Sequence, residues 1–127
     1  MIHSHTLRVP LAPERALSLF TPVGERAWAP GWDPVFPAGE QGDGAASGTV
    51  FLTGASTWVV VDREPDRVRY ARVTPGVRAG TIEVRLRADG GETLADVTYE
   101  TTALSDEPFD PDIARWEEEI SAALGAS

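Results

Sequence analysis

The sequence predicts an α+β fold: a first strand, two short helices, five consecutive strands and a C-terminal helix, in the order β-α-α-β-β-β-β-β-α. Three observations predict it. Past Gly48, five runs of alternating side chains, Thr49–Thr53, Thr57–Asp62, Val68–Val73, Arg78–Arg87 and Thr93–Thr101, are joined only by the turn sequences GAS, REPDR, TPGV and ADGGE. Connections this short pair neighbouring strands antiparallel, so the five make a meander. At the C-terminal end Ile113, Trp116, Ile120 and Leu124 recur at spacings of three and four, the apolar stripe of an amphipathic helix. Before Gly48, Pro13, Pro22 and Pro30 cut the chain into pieces too short for long helices.

Each element follows from local chemistry. Residues 3–9 place Leu7 and Val9 on one strand face, and Pro10 closes the strand. A helix then starts at Pro13, tolerated in a first turn because its missing N–H would have no partner there, with Ala16, Leu17 and Phe20 as its apolar side. Pro22 stops it. With Thr21 as cap and Pro22 in the first turn, a second helix carries Val23 to Trp28 and breaks at Pro30. Gly31 to Gly48 is rich in Gly, Pro and Ala without periodicity, the composition of a long loop. Within the meander, Pro75-Gly76 presets the dihedrals of one bend and Asp89-Gly90 suits another. The last helix is expected to be capped by Asp110, to begin with Pro111 and to end at Gly125. From Asp110 to Leu124 it would be about 22 Å long at 1.5 Å per residue.

Composition sets the outer bounds. With 127 residues, 42% of them hydrophobic, residues 1–127 are expected to form one soluble domain that buries roughly two-thirds of its unfolded surface. The N-terminal MIHSHTLRVP has neither the basic start nor the apolar stretch of a cleaved signal, so the expected address is the cytoplasm. The chain has no cysteine, which excludes disulfides and thiolate chemistry. Its net charge of −9 is concentrated between Asp106 and Glu119, where seven acids face one base, Arg115. That end repels phosphate backbones and anionic bilayers, so neither nucleic acid nor a membrane is expected as a partner.

One segment carries more information than the rest. From Phe20 to Pro34, FTPVGERAWAPGWDP holds two tryptophans, three prolines and two glycines in fifteen positions. It resembles the segment after the first strand in bacterial members of the START-like, helix-grip (SRPBCC) superfamily, whose polyketide cyclase and lipid-transport-like proteins share one architecture. Thr57 and Trp58, the stretch RYARVTPGVRAGTIEVRL from Arg69 to Leu86, and VTYETTALS from Val97 to Ser105 extend the resemblance over nearly the whole chain. The resemblance implies a six-stranded curved antiparallel sheet wrapped around the C-terminal helix, with a cavity between them for a small apolar or amphipathic molecule. A final helix shorter than usual in that group implies a smaller or more open cavity.

Side-chain alternation predicts which residues face that cavity, because a one-residue slip of pairing would move a whole apolar set into water. Val68 and Tyr70 must share a face with Ile82, Val84 and Leu86. A three-residue bend from Pro75 to Val77 then pairs Val68 with Val84, Tyr70 with Ile82 and Arg72 with Gly80. The same parity continues to Ala95, Val97 and Tyr99, while Arg69, Glu83, Arg85 and Asp96 collect on the outer face. Arg72 is thereby placed inside, where a guanidinium needs a carboxylate of the protein or an anionic or carbonyl group of a ligand; otherwise it lays its stem on apolar surface and its head in water. Arg78 has the same parity but lies nearer the bend, where the second arrangement is favoured. Trp28, Trp32, Phe36, Trp58, Tyr70, Tyr99, Phe109 and Trp116 supply aromatic walls. The ligand-binding set is thus Trp28, Trp32, Phe36, Trp58, Tyr70, Arg72, Ile82, Val84, Val97, Tyr99 and Trp116, with the loop holding Trp32, Asp33 and Phe36 as a lid.

Catalytic signatures are sparse. His3 and His5 alternate on one strand face, a metal-compatible spacing without an evident third ligand, so no metal or other cofactor is expected. There is no phosphate-binding glycine loop, no G-x-S-x-G elbow and no H-E-x-x-H. Three readings follow: a binding module anchored by Arg72 and helped by Tyr99, as monomer or homodimer; a cyclase- or dehydratase-like enzyme using Tyr70, Tyr99 and Arg72 with Asp33 or Asp62 as base; and an unliganded interaction or chaperone-regulating domain filled by tryptophans.

Overall fold

The computed structural model describes residues 1–125. Strand β1 (Ile2–Val9) leads into a single α-helical turn, α1 (Pro13–Ala16), which tightens into a 3-10 turn (Leu17–Phe20); a second 3-10 turn covers Gly24–Ala27. Strands β2 (Val50–Thr53), β3 (Ser56–Glu64), β4 (Arg67–Thr74), β5 (Arg78–Asp89) and β6 (Glu92–Ala103) precede helix α2 (Ile113–Gly125). The six strands form one curved antiparallel sheet in the order β1-β6-β5-β4-β3-β2. The first strand therefore lies beside the last. α2 crosses that end, and Glu117 Oε1 accepts the backbone N–H of Arg8 at 2.5 Å.

The register agrees with the one side-chain alternation requires. Val68 pairs with Val84, Tyr70 with Ile82 and Arg72 with Gly80, and the parity passes to β6 as Leu86 with Ala95, Val84 with Val97 and Ile82 with Tyr99. All of these except Arg72 and Gly80 are buried. Outside, Arg69 meets Asp62 at 3.0 Å, Arg87 meets Asp96 at 2.9 Å and Arg85 meets Glu83 at 3.6 Å, exposed pairs worth about a few tenths of a kcal/mol each.

Three local expectations are corrected. The two short helices are mostly 3-10 turns, because Pro22 and the Thr21 side chain close the corner between them tightly. The Thr21 hydroxyl donates to Ser18 O at 2.8 Å and accepts from the Gly24 N–H at 3.1 Å. The last helix begins at Ile113 rather than at Asp110, since Asp112 has φ +48°, outside the helical region. Asp110 instead accepts the Asp112 N–H through Oδ1 at 2.9 Å, a turn that Asp side chains form readily. The helix is described through Gly125, the residue at which the sequence is expected to end it. The third correction is in β3, where Val61 is an extra residue: Val60 pairs with Tyr70 but Asp62 with Arg69. This bulge flips the face of everything after it, so Asp62 points outward to Arg67 and Arg69.

The loop between the second 3-10 turn and β2 is long, as expected, but tied down along its length. Val35 exchanges two 2.9 Å hydrogen bonds with Leu52, Gly48 N–H reaches Val60 O at 2.7 Å, and Val23 N–H reaches Asp43 O at 3.1 Å. Ion pairs join Arg26 to Glu40 and Arg63 to Asp43, at 2.8 and 2.7 Å. Such tethering fits rigid packing better than a free lid. Among the described residues no helix is long and apolar enough to cross a membrane.

Candidate functional site

Between the concave face of the sheet, the second 3-10 turn and α2 lies a cavity of about 300 Å³. Its walls are assembled from distant parts of the chain. The second 3-10 turn and the residues after it give Glu25, Trp28, Ala29, Pro30 and Trp32; the strands give Phe51, Trp58, Tyr70, Arg72, Ile82, Val84 and Tyr99; and the C-terminal segment gives Phe109, Pro111, Trp116 and Glu119. Of the residues proposed from sequence, Trp28, Trp32, Trp58, Tyr70, Arg72, Ile82, Val84, Tyr99 and Trp116 are brought together here.

Phe36 and Val97 are not among the lining residues. Phe36 packs behind Phe51 at a centroid distance of 5.8 Å and closes on Gly44. Val97 faces inward but is fully buried in solid core. Asp33 is exposed and Asp62 is on the outer face, so neither carboxylate reaches the cavity. Arg78 also departs from expectation. It is only 6% exposed, with its guanidinium 4.3 Å from the Phe109 ring and one nitrogen donating to Glu107 O at 3.1 Å. The segment before α2 folds over it, a contact that strand parity alone does not reveal. His3 stands edge-on to Phe109 at 5.6 Å, and among the described residues no group of three His, Cys, Asp or Glu side chains is arranged for a metal.

The rings are interlocked. Phe51 stacks on Trp58 at 5.5 Å, Trp32 meets Trp58 edge-on at 5.6 Å, and Trp28 meets Trp116 at 5.5 Å. Most of their polar tips are satisfied by the protein: Trp28 donates to Leu19 O at 2.6 Å, Trp32 to Pro22 O at 2.7 Å, Trp58 to Thr53 Oγ1 at 2.8 Å and Tyr70 to Phe20 O at 2.6 Å. Three acceptors in that set, Leu19, Phe20 and Pro22, belong to the corner between the two 3-10 turns. The corner therefore orients three of the cavity's rings.

Four polar groups on the wall lack a hydrogen-bonding partner among the described residues: the Arg72 guanidinium, the Glu25 carboxyl, the Tyr99 hydroxyl and the Trp116 indole N–H. Burial pushes the Glu25 pKa well above the usual carboxylate range. Burial likewise raises Tyr99, with the charge of Glu25 adding to the effect and that of Arg72 opposing it. For Arg72 burial acts downward. Glu25 was not singled out from sequence; it sits on an irregular turn where no periodicity assigns it a face.

The raised Glu25 pKa fixes the sign of a stability effect. Between the free and folded pKa values the folded state binds more protons, so stability falls as pH climbs from about 4.5 and the penalty is complete above the folded value. Gln cannot ionise. Glu25→Gln should therefore match the wild type at acid pH and exceed it at neutral to mildly alkaline pH, by on the order of 1 kcal/mol. Urea denaturation across that range checks this, and parallel curves for the two proteins would contradict it.

No protein-family model matches the chain, and no curated protein matches it in sequence. Solved structures do match. CalU16 from Micromonospora echinospora superposes with a TM-score of 0.63 at 19% identity, covering 98% of this chain and 86% of its own. Major latex-like protein 151 from Panax ginseng gives 0.70 at 14% identity over 99% and 95%. DynU16, from the dynemicin biosynthetic locus, gives 0.61 at 15% identity over 98% of this chain and 46% of its own. With the strand order, register and helix placement described above, this chain has the START-like helix-grip fold.

Proposed function

We propose that the protein binds a small apolar or amphipathic molecule between its sheet and α2, with Arg72 as polar anchor and Tyr99 assisting. The observation that carries this reading is a cavity of about 300 Å³ that is walled by aromatic rings yet holds polar groups without protein partners. Such a cavity lies at the small end of the range for ligand sites. The mix of apolar wall and a few convergent polar atoms is what orients a guest.

The neutral dye N-phenyl-1-naphthylamine tests it directly. Its fluorescence should rise in the presence of the protein, and Val84→Phe, which puts an extra ring into the open volume, should abolish the rise while leaving the circular dichroism unchanged. Dye binding that survives Val84→Phe, or none in the wild type, sinks the reading. A cyclase- or dehydratase-like activity is the second reading, favoured by the convergence of Arg72, Tyr99 and Glu25 on one cavity. Glu25, holding its proton to higher pH than a free carboxyl, takes the acid–base role that Asp33 and Asp62 are too far away to fill. An unliganded domain filled by tryptophans accords poorly with the open volume.

A further inference from the structure

Arg72 differs from every other arginine of the chain. Arg8, Arg26, Arg63, Arg67, Arg69, Arg85, Arg87 and Arg115 form ion pairs, Arg78 donates to a carbonyl, and Arg15 is exposed. Arg72 is half-buried and lines the cavity, yet among the described residues it has neither an ion pair nor a hydrogen bond. Its charge is held by rings instead. The guanidinium carbon lies 5.0 Å from the Trp58 centroid, 5.4 Å from Phe109 and 5.9 Å from Tyr99. Ring faces stabilise the cation electrostatically, but the guanidinium N–H donors lie in its own plane and rings do not satisfy them. The rings stabilise the Arg72 charge, and among the described residues no protein acceptor meets its N–H edge.

The wall around Arg72 defines the acceptor that would suit it. A single cation on a wall that also carries Glu25 and Glu119 suits one negative charge better than two. A planar pair of oxygens matches the guanidinium fork, and the unpartnered Tyr99 hydroxyl supplies one further donor. Aromatic walls and a volume of about 300 Å³ suit a body of roughly two fused rings. Resting on the cavity-binding reading above, we infer that the natural guest is a small aromatic monocarboxylate, its carboxylate on Arg72 and the Tyr99 hydroxyl and its rings among Trp28, Trp58 and Trp116.

Calorimetry with 2-naphthoate and its neutral methyl ester tests this on the full chain. The wild type should bind the acid about ten-fold or more tighter than the ester. Arg72→Met, which keeps the stem and removes the charge, should weaken the acid about 30-fold, or roughly 2 kcal/mol, and the ester less than about three-fold. Tyr99→Phe should cost the acid about three- to ten-fold and the ester nothing. N-phenyl-1-naphthylamine binding reports whether each variant keeps its cavity; if Arg72→Met loses it, the Tyr99→Phe result decides. Equal affinity of the wild type for acid and ester, equal losses for both probes in the variants, or dye binding without binding of either naphthalene overturns the monocarboxylate assignment and leaves cavity binding standing. Failure of the dye and both naphthalenes alike overturns the cavity reading itself.

Discussion

Gly24→Ala should lower folding stability by about 3 kcal/mol or more, toward the upper tail of single substitutions. A Cβ at this position would lie 1.6 Å from Ser18 O, 2.7 Å from the Ser18 carbonyl carbon and 2.8 Å from Thr21 Oγ1. The first two are backbone atoms, so no side chain can swing away, and the corner between the two 3-10 turns has to open. Opening it breaks the Thr21 bridge to Ser18 and Gly24 and displaces the carbonyls of Leu19, Phe20 and Pro22, on which Trp28, Tyr70 and Trp32 are hydrogen-bonded. The same substitution should therefore weaken dye binding, although Gly24 does not line the cavity. Urea denaturation and near-ultraviolet circular dichroism measure both parts. A wild-type midpoint for Gly24→Ala would show that the two backbones do not approach as closely as described.

Phe51→Ala should cost about 3–5 kcal/mol, the range for truncating a buried aromatic ring. Phe51 is 1% exposed and contacts four rings: Trp58 stacked at 5.5 Å, Phe36 at 5.8 Å, Tyr70 at 5.9 Å and Trp32 at 6.1 Å. It separates the loop residue Phe36 from the cavity, so its removal also joins the void it leaves to the existing space. Phe51→Leu retains much of the packing and should lose about 1–2 kcal/mol. Denaturation midpoints for the two variants are the check. A cost below about 1 kcal/mol for Phe51→Ala would mean that the ring cluster is loosely packed and has room to collapse.

The inner face of the meander was readable because strand alternation has a period of two and an error of one residue is heavily penalised. Val68, Tyr70, Ile82, Val84 and Tyr99 fell on one side by that rule alone, and Arg72 with them. The same rule does not make the outward direction of Asp62 legible, since the extra residue Val61 in β3 leaves no mark on the hydrophobic pattern. It was silent about Glu25, which sits on a 3-10 turn with too few residues to show any period. Phe36 and Val97 lie outside the cavity lining for another reason. Facing inward is a local property, but facing a void depends on which other side chains fill the space.

Residue order by itself determined the succession of elements, the pairing of β4, β5 and β6, and the inward direction of Arg72, because each rests on contacts between near neighbours in the chain. Only the tertiary structure decided what surrounds Arg72. Trp58, Tyr99 and Phe109 reach it from three separate segments, and none of the carboxylates that pair the other arginines reaches it. Whether a charge meets a carboxylate or only rings depends on distances in space between residues far apart in sequence, and no local pattern encodes those distances.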